Sequence, residues 1–138
     1  METLPSYKSF ADDKSIEELQ YNILTDITSL ENIRFELQFY KLLLDKPIFK
    51  AQVINLYENL AKFKNELQAL NENCMDLLHE LSSHANQIKK KIECEDMACD
   101  RFFIKEYNAV KHKVFSFNEK IFIFKFRLFQ YIESVIST

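Results

Sequence analysis

The chain has 138 residues, 47% of them hydrophobic, with 18 Lys and Arg against 21 Asp and Glu, a formal net charge of −3 and no glycine. That apolar content suffices for one buried core in one domain. The acidic balance excludes the basic footprint of a dedicated nucleic-acid binder, and the missing glycine excludes glycine-rich phosphate loops.

Residues 1–14 carry Pro5, mixed polar residues and no period, so they are expected to be a tail or irregular lead-in. The single helical-bundle domain is expected to fill residues 15–138. Ser15 and Glu18 have capping-box spacing, in which the hydroxyl accepts from the Glu18 amide and the carboxylate reaches back. Helix one is predicted over 16–45, on a ladder of Ile16, Leu19, Ile23, Leu30, Ile33, Leu37, Tyr40 and Leu44 broken at Asp26. Steps of three and four residues keep these side chains on one helical face. A start delayed to Thr25–Ser29 is the alternative.

Pro47 ends helix one, because its ring clashes with the preceding turn and it has no amide donor. Helix two is predicted as one rod over 50–93, with Val53, Leu56, Leu60, Phe63, Leu67, Leu70, Cys74, Leu77, Leu81, His84 and Ile88 on its seam. Lys89, Lys90 and Lys91 suit its negative C-terminal end. Glu93, Cys94, Glu95 and Asp96 mark the second reversal, with Asp96 as the cap of helix three.

Helix three is predicted over 97–136, on Phe103, Tyr107, Val110, Val114, Phe117, Ile121, Phe124, Leu128, Tyr131 and Val135. Phe124 to Leu128 alternates apolar and charged residues as a strand does, but the seam crosses it unbroken and no turn residues bound it. The fold class is therefore all-α, an up-down-up antiparallel three-helix bundle with coiled-coil-like packing.

Folding the chain about tight turns sets an expected register. Leu44 then lies near Val53, Ile16 near Leu81, His84 near Asn108, and Asp26 near Asn71 and Lys120. Helix one ends short of the second turn, leaving Ile88, Ile92, Phe102, Phe103 and Tyr107 without third-helix cover unless Leu4, Tyr7 and Phe10 of the tail fold over them.

Two polar residues occupy seam positions. Asp26 is expected to have a partner or to stay half-exposed, because burying an unpaired carboxylate is costly. His84 is expected as a hydrogen-bonded core histidine, with Tyr107 as its partner, or as a register pin or pH-sensitive contact.

Metal chemistry finds little support. Di-metal bundles use paired Glu-x-x-His units, and only Asp76 to His79 approximates one. His79 and His84 are five positions apart, roughly 140° around a helix, so they cannot chelate one ion. Cys94 and Cys99 lack a second ligand pair, and Cys74 behaves as a small apolar residue. The acids around Cys94 would raise its pKa rather than activate it. No cofactor, metal or catalytic residue is assigned, and no enzymatic activity is expected.

The surplus on helix three is the strongest signal outside the seam. Phe115, Phe122, Phe129 and Ile136 repeat every seven residues, with Ile123, Phe126 and Ile132 beside them. Such a stripe either completes the core or is an interface, since large exposed apolar patches are rare on monomers. Lys120, Lys125 and Arg127 would permit membrane-surface binding, but Glu119, Glu133 and the negative net charge argue against it.

The function expected is that of a non-enzymatic protein–protein interaction or assembly module, a homo-oligomer built through the helix-three face. One alternative is a metal- or small-ligand-binding bundle, with His84, Cys94 and Cys99 suspected first. The other is an adaptor docking a larger complex through Ile88, Ile92 and Phe103 at the uncovered end. Three cysteines make no disulfide framework, no apolar run approaches a bilayer span, and no secretory leader is recognisable. The expected setting is the cytoplasm.

Overall fold

The computed structural model describes residues 16–90 and 97–137, with the side chains of 97–100 excepted. Three α-helices follow in order: α1 (Ile16–Leu44), α2 (Leu56–Lys90) and α3 (Met97–Val135). Each packs against the other two, giving the all-α up-down-up bundle. The expected tail, the Ser15 cap, Lys91, Ile92, the Glu93–Asp96 reversal with Cys94 and the Asp96 cap, and the side chain of Cys99 lie outside the described residues.

The inner ladders become the core. Leu19, Ile23, Leu30, Leu37, Tyr40 and Leu44 meet Leu60, Phe63, Leu67, Cys74, Leu77, Leu81 and Ile88 of α2 and the α3 seam from Phe103 to Val135. α1 starts at Ile16 rather than near Thr25, with Glu17 and Glu18 in its first turn, where acids complement the positive end of the helix dipole. Continuous helix runs through Phe124–Leu128, so the seam period prevails over the local alternation.

Helix two does not start at Lys50. Residues 45–55 are irregular, and the chain crosses the end of the bundle before α2 begins at Leu56. The Lys50 amide donates to the Val135 carbonyl (2.8 Å) and the Ser137 amide to the Ile48 carbonyl (2.7 Å), forming an isolated antiparallel bridge between Phe49 and Ile136. Ile136 thus leaves the helix and is pinned, half-buried, against the connector. Gln52 (φ 65°) and Asn55 (φ 57°) take the left-handed turn positions that glycine would usually fill. The Asn55 carbonyl accepts the Asn59 amide (3.0 Å), the first bond of α2.

This longer connector shifts the register of α1 against α2. Leu30 faces Cys74, whose thiol donates to the Leu30 carbonyl at 3.3 Å, and Asp45 pairs with Lys64. Carried down the antiparallel pair, Ile16 comes level with Ile88 rather than Leu81. Of the group expected to lack third-helix cover, Ile88, Phe103 and Tyr107 are buried, and Phe102 points outward. The α2–α3 register follows expectation, with ion pairs Glu80–Lys113 and Glu66–Arg127, both 3.1 Å, and a tilted Phe63–Tyr131 ring contact.

The shift also changes the partners of Asp26. Its carboxylate accepts from Lys111 Nζ at 2.7 Å and from the Tyr107 hydroxyl at 3.3 Å, not from Asn71 or Lys120. Tyr107 is thereby directed to α1, while His84 sits half-buried at its seam position.

Candidate interaction surface

The stripe on α3 divides. Ile132 is buried in the core and Phe115 and Ile136 are half-buried, whereas Phe122, Phe126 and Phe129 stay 37–47% exposed. These three emerge on the flank of α3 that borders α1. Ile123, also exposed, emerges on the opposite flank, where it lines a shallow cleft of about 310 Å³ with Arg127 of α3 and Glu66 and Leu70 of α2.

The α1 border is well defined. Lys125 Nζ donates to Glu36 Oε2 at 3.1 Å, and the Tyr40 and Phe129 rings meet edge to face at 5.5 Å between centroids. Above the ion pair runs a groove of about 530 Å³ whose walls are Asn32, Ile33 and Glu36 on one side and Phe115, Phe122 and Lys125 on the other. Burial and the neighbouring Glu36 carboxylate both push the Tyr40 phenol above its ordinary 10.0.

Beyond this groove the apolar surface continues onto α1. Tyr21, Leu24, Phe35, Phe39 and Leu42 are 51–70% exposed, the ring of Phe39 lying against that of Tyr40. At 100° per residue these five fall on one outward-facing strip of the helix, opposite the inner ladder. They form a second ladder with steps of three and four residues, interrupted by Thr28, Glu31 and Asn32. The sequence carries the signal as a repeat of apolar residues out of phase with the inner seam. It escapes notice when the inner ladder alone is counted as the helix's hydrophobic face. A helix apolar on two opposite faces has little net amphipathic direction, yet it has two surfaces to cover.

Cys74 is buried, its thiol held by the Leu30 carbonyl and pushed above its usual range by burial, with Arg34 opposing. His79 is exposed on the outer face of α2. Among the described residues no three His, Cys, Asp or Glu side chains converge as a metal site, and no helix is long and apolar enough to cross a membrane.

No family model, curated protein or solved structure matches this chain.

Proposed function

We propose that this protein is a non-enzymatic assembly module that associates with further copies of itself through the aromatic face shared by α1 and α3. The observation that carries the reading is the exposure of Phe35, Phe39 and Leu42 on α1 and of Phe122, Phe126 and Phe129 on α3, the two sets joined by the ring contacts Phe39–Tyr40 and Tyr40–Phe129. Large apolar side chains concentrated on one side of a small bundle lose much of their unfavourable hydration only when another surface covers them. The Lys125–Glu36 ion pair ties α1 to α3 within this face, so the two helices present it together. The proposed setting is the cytoplasm, where a reducing environment keeps thiols such as that of Cys74 free.

Light scattering at low micromolar concentration tests this. The wild-type chain should sediment or scatter as more than one copy, and the double variant Phe122→Asp/Phe129→Asp should be monomeric with unchanged helicity. Equal mass for variant and wild type would remove the face from the contact.

A further inference from the structure

We infer that the occupant of this face is a second copy docked antiparallel on a two-fold axis, with α1 packed against α1 through its outer ladder. The inference rests on the self-association reading and adds its geometry.

The outer ladder maps onto itself when α1 is reversed. With Glu31 of one copy set opposite Asn32 of the other, Tyr21 meets Leu42, Leu24 meets Phe39, and Thr28 meets Phe35. Each apolar position then finds an apolar or methyl-bearing one, as a two-fold interface requires. At the centre the Asn32 amide can donate to the Glu31 carboxylate of the second copy, twice by symmetry, and a central polar pair of this kind selects one register among the slips. At each end Glu17 of one copy comes near the C-terminal end of the other's α1, where Lys46 is exposed just past the helix. Antiparallel packing also sets the two α1 dipoles head to tail. A parallel pair would instead stack Glu17 on Glu17 and Glu31 on Glu31.

The area is adequate. With side chains of roughly 150–250 Å² each, the exposed parts of the five α1 residues offer roughly 600 Å² per copy. Phe122, Phe126 and Phe129 raise this to roughly 850 Å², against about 800 Å² per partner in a standard stable interface. The α3 residues join because a two-fold axis perpendicular to α1 places both α3 helices on the same side. Glu36 pairs with Lys125 and Tyr40 with Phe129, so residues near Lys120 are level with the axis and Phe115 of one copy approaches Phe126 of the other.

Disulfide trapping distinguishes this arrangement from others. In a background with Cys74, Cys94 and Cys99 replaced by Ala and helicity confirmed by circular dichroism, two differently tagged variants are made, Tyr21→Cys and Leu42→Cys. Mixed, equilibrated and oxidised, they should yield a covalent heterodimer, while each alone stays uncrosslinked. Crosslinking of either variant with itself, or no crosslink in a background that still scatters as a dimer, overturns the antiparallel α1 pairing and leaves the self-association reading standing. A background protein that is monomeric, with wild type also monomeric, overturns both.

Discussion

Asp26 of α1 and Lys111 of α3 form a direct ion pair, Nζ to Oδ1 at 2.7 Å, with the Tyr107 hydroxyl on the other carboxylate oxygen. The carboxylate is almost covered, while the lysine keeps part of its surface in water. This asymmetry decides what the pair does. Its attraction is offset by the cost of desolvating Asp26, so the net gain over an apolar pair is small, but removing one partner strands a buried charge.

Lys111→Met should therefore destabilise the bundle by about 1–3 kcal/mol. The double variant Asp26→Asn/Lys111→Met should recover much of that loss, because a neutral amide can still accept from Tyr107. Urea unfolding at pH 7 measures both. A single variant no worse than the double would show that the carboxylate is not stranded.

The connector contains the second testable point. Gln52 is held at φ 65°, where a side chain costs about 1–2 kcal/mol and glycine costs nothing sterically. Against this stands glycine's greater freedom in the unfolded chain, about 0.5–1 kcal/mol. Gln52→Gly should stabilise by about 0.5–1 kcal/mol. Asn55→Gly should give less, because asparagine tolerates this region better. A lower denaturation midpoint for Gln52→Gly would contradict the assigned backbone.

Much of the fold was legible because burial imposes the helical period directly. The α3 seam from Phe103 to Leu128 was readable position by position, as was the start of α1 at Ile16, while α3 ends one residue before the expected 136 because Ile136 bridges to Phe49. The connector was not. With no glycine to mark its left-handed turns, and with Val53 and Leu56 continuing the α2 period, the sequence from Lys50 onward looks helical. That one error propagated: it moved the expected partner of Asp26 from Lys111 to Lys120 and left Ile88 and Phe103, both buried, without expected cover. Half of the candidate surface was legible for a similar reason. The heptad of Phe115, Phe122 and Phe129 stands apart from the α3 seam, whereas the outer ladder of α1 is interrupted at Thr28–Asn32 just where its repeat would be counted.

Alkaline pH should weaken the bundle through two buried groups. Burial raises the Cys74 thiol above its ordinary 9.0, against the opposing Arg34, and burial followed by Glu36 raises the Tyr40 phenol above 10.0. As pH rises, the unfolded chain loses these protons before the folded one does. The stabilisation is whole below about pH 9 and is lost as pH climbs through the folded values. Denaturation midpoints should be flat from pH 7 to 8.5 and fall above about pH 9. Cys74→Ala should remove the earlier part of that fall, and a thiol reagent should reach Cys74 only on unfolding.

Association should also be visible in thermal unfolding. If the aromatic face is covered in the native assembly, Tm must rise with protein concentration. Phe39→Lys should abolish that dependence while costing the isolated bundle about 0.5–1.5 kcal/mol through its edge contact with Tyr40. A concentration-dependent Tm that survives this substitution would place the contact elsewhere.

Sedimentation equilibrium of the unmodified chain over a dilution series tests self-association most directly. Copies of 16.5 kDa joined by an interface of this size should give twice that mass at micromolar concentration, falling toward the monomer on dilution. A mass of 16.5 kDa at every concentration would contradict the account, because the exposed faces of α1 and α3 would then remain uncovered.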